Sequence, residues 1–205
     1  LALLLLAFAF GRPFLNTLPE AITADSLERK VILIDRSASM KREDLWDRAL
    51  YAAKDQIEDS NATAEVTVAF FDTEFEEIAS LSVWRPLSPG ARSAALDSFT
   101  SEKQPEPSWQ TTDLGAAMTR AADILLAADI DDPATSMEVV VISDFQSGAD
   151  QSALQNEAWP SEVQVRCVAL TPRESGNLSL ALASTPPRSS INDEEVYRLS
   201  LIHIS

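Results

Sequence analysis

Two short runs of aliphatic residues, each ending in an aspartate, constrain the fold of this chain more than any other feature. Residues 31–35 read Val-Ile-Leu-Ile-Asp, and residues 138–144 read Glu-Val-Val-Val-Ile-Ser-Asp. A continuous apolar run of this length is typical of a strand buried on both faces, as strands of parallel sheets are. Helices must then cover both faces, so strands and helices should alternate along the chain.

The rest of the chain supplies that alternation. Apolar residues at three- and four-residue spacing predict helices, and short apolar runs predict further strands. The predicted helices cover residues 42–58, 91–99, 112–128 and 151–157, and the further strands cover residues 64–71, 75–83 and 163–170. A turn of only three residues separates two of these strands, which favours a hairpin. We therefore predict an α/β fold with a doubly wound, Rossmann-like, mostly parallel sheet and one antiparallel edge strand.

Charge and composition exclude several classes of function. The 205 residues include 32 acidic and 16 basic side chains, and the formal net charge of −16 repels the phosphate backbone of nucleic acids. The five glycines form neither a dinucleotide-binding fingerprint nor a phosphate-binding loop. The single cysteine, Cys167, excludes an intrachain disulfide, and we expect it to be buried in the core within the strand at 163–170. We expect neither nucleic acid nor a small-molecule substrate as a partner.

Both ends of the chain differ from its middle. Residues 1–12 open with ten apolar residues and stop before Pro13, and we interpret them as the C-terminal part of a truncated transmembrane helix. Two alternatives stay open: the apolar region of a signal peptide cleaved after Ala7-Phe8-Ala9, or a short buried helix. Residues 199–205 look like a translated sequencing adapter, so we interpret them as a non-native tail.

These observations divide the chain into five parts. After the membrane helix at 1–12 we predict a spacer at 13–29 and the main α/β domain at 30–175. Residues 176–198 are then the start of a truncated β-rich domain or, alternatively, an edge strand of the main domain, and the tail at 199–205 follows. The tail contains His203, the only histidine, so the remainder of the chain has no Ser-His-Asp or Cys-His site.

Five oxygen-bearing side chains lie at predicted strand ends or at a helix start. Because the carboxyl ends of parallel strands meet at one edge of a sheet, we expect these side chains to converge there. Hydroxyl and carboxylate oxygens without nitrogen or sulfur suit a hard cation, Mg²⁺ first, with Mn²⁺ or Ca²⁺ as alternatives. The simpler interpretation is that the hydroxyls only cap the following helices. The five residues are Asp35, Ser37, Ser39, Thr112 and Asp144.

This pattern resembles the von Willebrand factor type A (VWA) domain and its metal-ion-dependent adhesion site (MIDAS). That site combines DxSxS after the first strand, a Thr before a helix of the form T-x-L-x-x-A, and an Asp closing the fourth strand, and the five residues match it within residues 30–171. The resemblance implies that Ser37, Ser39 and Thr112 contact the cation and that Asp35 or Asp144 acts through water. A Glu or Asp of a protein partner would complete the shell, so the family implies a binding module and no enzyme.

The segment Ile-Leu-Ile-Asp-Arg-Ser-Ala-Ser-Met at 32–40, together with the apolar leader, is similar to one bacterial subgroup of this family, the aerotolerance-regulator type membrane proteins. That resemblance implies anchoring in the bacterial inner membrane through the N-terminal helix, with the VWA domain in the periplasm. The chain departs from the family pattern at Gln110-Thr111, where the family often has Gly-Gly, and at Phe145, where it often has Gly. Both departures affect loop shape and therefore the choice of partner.

Two other functions stay open. A Mg²⁺-dependent phosphoryl-transfer enzyme on a doubly wound sheet would use Asp35 as its nucleophile, although such enzymes have a second Asp where this chain has Ser37. A scaffold domain with a non-functional metal site is the other. The loop at 101–110, which contains Trp109, either shapes the partner surface or is a solvated connection.

Overall fold

The computed structural model describes residues 27–81, 87–103, 105–127, 136–156, 158–173, 177–182 and 199–204. Its centre is a five-stranded sheet in the order β3-β2-β1-β4-β5. Neighbouring strands run parallel, except that β2 and β3 form an antiparallel hairpin. This confirms the predicted α/β fold with a mostly parallel sheet and one antiparallel edge strand. The strands are β1 (Glu28–Asp35), β2 (Glu65–Phe71), β3 (Phe75–Ala79), β4 (Ser136–Ser143) and β5 (Val163–Ala169).

Helices cover both faces of the sheet. Residues of β1 alternate between the faces, so Ile32 and Ile34 pack in one apolar cluster while Val31 and Leu33 pack in the other. The first cluster includes residues of α1 and α2, and the second includes residues of α3. Burial on both faces explains why β1 and β4 are continuous apolar runs. In the described residues the α-helices are α1 (Leu45–Glu58), α2 (Pro89–Lys103), α3 (Leu114–Ala127) and α4 (Ser152–Asn156), and a 3₁₀ helix spans Ala38–Lys41.

The register of the central strands brings the two predicted strand ends together. Ile34 of β1 lies beside Ile142 of β4, which places Ser143 next to Asp35 and Asp144 one step beyond it. On the other side, Asp35 pairs with Phe71 at the end of β2. The carboxyl ends of β1, β2 and β4 therefore meet at one edge of the sheet, as predicted.

Ion pairs occupy the opposite edge, where these strands begin. Lys30 Nζ lies 3.0 Å from Glu28 Oε1 and 3.7 Å from Glu138 Oε2. Arg29 Nε lies 2.7 Å from Glu65 Oε2, with both side chains almost fully buried. The charges at this edge are thus compensated within the chain.

The structure corrects the prediction for Cys167, which is exposed and does not lie in the core. The reason is that β5 is one of the two edge strands of the sheet, and most of its residues are exposed. An apolar sequence run reports strand propensity, but burial requires another element to cover the strand. The loop prediction at 101–110 is also partly wrong, because α2 continues to Lys103.

Two further strands lie outside the central sheet. β6 (Asn177–Leu182) and β7 (Leu199–Ile204) pair with each other in antiparallel orientation. The proposed tail at 199–205 therefore contributes a strand, and its origin and the division of the chain into five parts stay predictions. In the described residues, no helix has both the length and the apolar character needed to cross a membrane. The predicted membrane helix at 1–12 lies outside the described residues.

Candidate metal centre at the carboxyl edge

Asp35 is the buried anchor of the site. Its side chain is 0% exposed, and both carboxylate oxygens accept hydrogen bonds. The backbone N–H of Ser37 donates to Oδ1 at 2.8 Å, and the hydroxyl of Ser143 donates to Oδ2 at 2.6 Å. These two bonds fix the orientation of the carboxylate where β1 ends and the chain turns into the 3₁₀ helix.

The two serines link this anchor to the second carboxylate. The Ser37 and Ser39 hydroxyl oxygens are 3.1 Å apart, and the Ser39 hydroxyl donates to Asp144 Oδ1 at 3.0 Å. Asp144 follows β4 directly, and its Oδ1 also accepts the N–H of Gln146 at 3.4 Å. Hydrogen bonds therefore bring together four of the five predicted residues.

Thr112 lines a pocket that the two serines also line. A pocket of about 320 Å³ is lined by Ser37, Ser39 and Thr112, among other residues. The carbonyl oxygen of Thr112 accepts the N–H of Asp150 at 2.8 Å, which ties the start of α3 to the segment before α4. The structure thus places the fifth predicted residue at the pocket that the two serines line.

The capping interpretation does not account for these hydroxyls. Ser37 occupies the N-cap position of the 3₁₀ helix without forming a side-chain capping bond. Helix α3 begins at Leu114, and its cap is Asp113, whose Oδ1 accepts the N–H of Ala116 at 2.9 Å. The Ser37 hydroxyl contacts Ser39 instead, so the hydroxyls of the DxSxS segment are directed to the cluster.

The electrostatics of the cluster suit a cation. The pKa of Asp35 is raised above its ordinary value, chiefly because the carboxyl group is buried. The nearby charge of Asp144 also raises it, and the hydrogen bonds from Ser143 and Ser37 oppose this shift. In the described part of the chain, neither Asp35 nor Asp144 forms an ion pair with a lysine or arginine. The buried charge of Asp35 therefore has no compensating lysine or arginine within those residues, whereas Asp72 at the same edge is paired with Arg36.

The donor set fits a hard divalent cation. Carboxylate and hydroxyl oxygens are the ligands that Mg²⁺, Mn²⁺ and Ca²⁺ accept. Within the described ranges no group of three or more His, Cys, Asp or Glu side chains could hold a metal ion. The predicted set does not depend on such a group, because three of its five donors are hydroxyls. If the cation binds, Ser37, Ser39 and Thr112 would hold it, and the carboxylates would supply the balancing charge.

Sequence reasoning missed the part played by Ser143. Its hydroxyl donates to Asp35 and accepts the N–H of Phe145 at 3.0 Å, so it joins the ends of β1 and β4. Both apolar runs end in Asp, but the strands pair with an offset that sets Ser143, and not Asp144, beside Asp35. That offset is a property of strand pairing, and the sequence offers no direct signal for it.

Phe145 is held in a left-handed backbone conformation, with φ of +48°. This is the position where the family often has glycine, the residue that adopts this region without steric cost. The Phe145 ring packs against the second apolar cluster, which offsets the strain. Phe145 therefore lacks the backbone freedom that glycine would have at this position, but it adds an apolar contact beside the site.

We expect Phe145→Gly to be more stable than Phe145→Ala by about 1 kcal/mol, because both variants lose the ring but only glycine relieves the left-handed strain. Urea unfolding of the two purified variants measures the difference. A Phe145→Ala chain at least as stable as the Phe145→Gly chain would show that the backbone at this position carries no strain.

Fold and site together define a class of domain: a doubly wound α/β sheet whose carboxyl edge presents carboxylates and hydroxyls. The family model of the von Willebrand factor type A domain matches residues 30–146, more than half of the sequence. The chain therefore belongs to the von Willebrand factor type A family. Domains of this family are typically metal-dependent adhesion or protein-interaction modules, they often bind a divalent metal, and they are generally not enzymes.

Solved structures to which the chain is similar are distant in sequence. The manganese-loaded TRAP protein of Plasmodium vivax is 12% identical, with a TM-score of 0.53 over 74% of this chain and 61% of that one. An aerotolerance-related membrane protein from Bacteroides fragilis is 18% identical, with a TM-score of 0.48 over 85% of this chain and 81% of that one. The type V pili tip protein Mfa5 of Porphyromonas gingivalis is 15% identical, with a TM-score of 0.42 over 58% of this chain.

The chain spans only 20% of the pilus tip structure and 61% of the TRAP structure. At these identities the similarity to TRAP shows the fold alone. No curated protein sequence matches the chain.

Proposed function

We propose that this domain binds a divalent cation, Mg²⁺ first, and uses it to dock an acidic side chain of a protein partner. Asp35 and Asp144 supply the negative charge, and Ser37, Ser39 and Thr112 supply hydroxyl ligands. The observation that carries the proposal is the continuous hydrogen-bonded path from Asp35 through the two serines to Asp144. The two serines of this path line an open pocket that Thr112 also lines.

The burial of Asp35 favours docking over chemistry. A phosphoryl-transfer enzyme of the kind considered above needs an accessible carboxylate oxygen as its nucleophile. Asp35 is 0% exposed, and both of its oxygens already accept hydrogen bonds. Such a carboxylate is better suited to orienting waters and serines around a cation than to attacking a substrate.

We further propose that the domain at 30–175 is anchored to the bacterial inner membrane through the apolar segment at 1–12 and faces the periplasm. The ten apolar residues at the start of the chain and the boundary at Arg12-Pro13 support the anchor. The similarity of residues 32–40 to the aerotolerance-regulator type proteins supports the location. Fractionation of cells expressing the full chain, followed by protease treatment of spheroplasts, tests both points.

Two displayed peptide libraries, identical except for a fixed central Glu or a fixed central Gln, test the docking function on the full chain. We expect Mg²⁺-dependent enrichment from the Glu library, loss of that enrichment in EDTA, and no Mg²⁺-dependent enrichment from the Gln library. The negatively charged carboxylate binds a hard cation more strongly than the neutral amide oxygen of Gln does, which is the reason for the difference. Equal enrichment of both libraries, or enrichment insensitive to EDTA, would contradict the proposal.

A further inference from the structure

Trp109 is a large apolar side chain left in solvent next to the candidate metal centre. It is 83% exposed and lines the same pocket as Ser37, Ser39 and Thr112. Exposed tryptophan is uncommon on a protein surface, and it is enriched among the residues that dominate binding interfaces. Trp109 lies three residues before Thr112 in the sequence, so its indole can contact a ligand that enters the pocket.

The loop that carries Trp109 is held in place from several sides. Ser108 N–H donates to the Arg36 carbonyl at 2.6 Å, and Ala38 N–H donates to the Gln110 carbonyl at 3.0 Å. These two bonds bracket Trp109 and connect its loop to the DxSxS segment. Further back, the indole N–H of Trp46 donates to the Pro105 carbonyl at 2.8 Å. The indole of Trp109 is therefore presented on a fixed backbone, and a partner does not have to order this loop on binding.

The ammonium group of Lys41 lies over one face of the Trp109 indole. Lys41 Nζ lies 4.7 Å from the centre of the Trp109 ring, within range of a cation–π interaction. Lys41 ends the 3₁₀ helix that follows the DxSxS segment, so its positive charge lies close to the pocket in a chain of net charge −16. A positive charge and an apolar surface thus stand together beside the place where an acidic side chain would dock.

We propose that Trp109 determines which partners this site selects. Its indole packs against an aromatic or long aliphatic side chain close to the partner carboxylate that coordinates the metal. This inference rests on the proposed docking function and extends it to the partner's second contact. In an extended partner segment, the apolar side chain lies two residues from the Glu or Asp, because side chains two residues apart share a face. Lys41 is a positioning residue that orients the indole and favours an acidic segment.

The Glu library described above tests this inference when it is selected in Mg²⁺ on three forms of the full chain: wild type, Trp109→Ala and Tyr51→Ala. Tyr51 is the matched control, because it is 70% exposed and lies on α1 in a different pocket. We expect wild type and Tyr51→Ala to enrich peptides with an apolar residue two positions from Glu. We expect Trp109→Ala to bind those peptides about tenfold or more weakly, while it binds peptides with glycines flanking the Glu as the wild type does.

The outcomes distinguish a failure of the role of Trp109 from a failure of the docking function. Two results would overturn the role of Trp109 and leave the docking function standing. In one, the wild type binds Glu peptides in a Mg²⁺-dependent manner without any preference for the flanking residues. In the other, Trp109→Ala shows the same flanking preference as the wild type. No Mg²⁺-dependent peptide on any of the three forms would contradict the docking function itself and the inference with it. Equal unfolding temperatures of Trp109→Ala and wild type establish that a lost preference reflects a lost contact.

Discussion

Replacing Asp35 with asparagine is expected to abolish the rise in unfolding temperature that millimolar Mg²⁺ gives to the full chain. A ligand present at 100 times its dissociation constant stabilises the folded state by about 2.7 kcal/mol. For a chain of this size that is a rise of several degrees. Asparagine preserves the size of the side chain but removes the negative charge that the buried carboxylate offers to the cation. Differential scanning calorimetry of wild type and variant, each in Mg²⁺ and in EDTA, measures the shift.

Asp72 provides the matched control for that experiment. It also lies at the carboxyl edge, directly after β2, and it is buried, but its Oδ2 accepts a hydrogen bond from Arg36 Nε at 3.0 Å. We expect Asp72→Asn to lower stability and still respond to Mg²⁺ like the wild type. An equal Mg²⁺ shift in Asp35→Asn and wild type, or loss of the shift in Asp72→Asn alone, would place the cation elsewhere.

Replacing Phe70 with alanine is expected to lower the free energy of unfolding by about 3–5 kcal/mol, the usual cost of deleting a buried aromatic ring. Phe70 is 1% exposed on β2, and its ring centre lies 5.3 Å from that of Trp46 and 6.1 Å from that of Phe99. Its loss leaves a cavity between the sheet and the helices α1 and α2. Urea unfolding at constant temperature measures the change.

Tyr51→Ala is the comparison for Phe70→Ala, because it removes an aromatic ring from an exposed position on α1. We expect it to change stability by no more than about 0.5 kcal/mol. A cost for Phe70→Ala as small as that of Tyr51→Ala would contradict the close packing assigned to this face of the sheet.

Much of the fold follows from two features of the sequence. The apolar runs at β1 and β4 demand burial on both faces, and the spacing of Leu45, Ala49, Ala53 and Ile57 gives α1 one buried stripe for that purpose. The parallel sheet then follows, because alternating strands and helices leave few other arrangements. The exposure of Cys167 could not be predicted in the same way, since it depends on what covers the edge strand β5 and not on the composition of β5 itself.

The candidate site was predictable to the level of residue type and sheet edge. The sequence predicts that Asp35, Ser37, Ser39 and Asp144 converge, because each lies at or just after the carboxyl end of a strand, and hydrogen bonds join them there. The strand offset that brings Ser143 to Asp35 is set by packing across the sheet, so its part in the site required the structure. The fixed presentation of Trp109 depends on backbone hydrogen bonds between distant segments, which leave no mark in the sequence.

A crystal structure of the full chain grown with Mn²⁺ would locate the proposed cation, because Mn²⁺ accepts the same oxygen ligands as Mg²⁺ and scatters anomalously. We expect an anomalous peak in the pocket at the carboxyl edge, within coordination distance of the Ser37, Ser39 and Thr112 hydroxyls. We also expect water between the ion and at least one of the two carboxylates. A structure grown in saturating Mn²⁺ with no peak in this pocket, or with Thr112 too far away to share the ion with the serines, would contradict the proposed cation site.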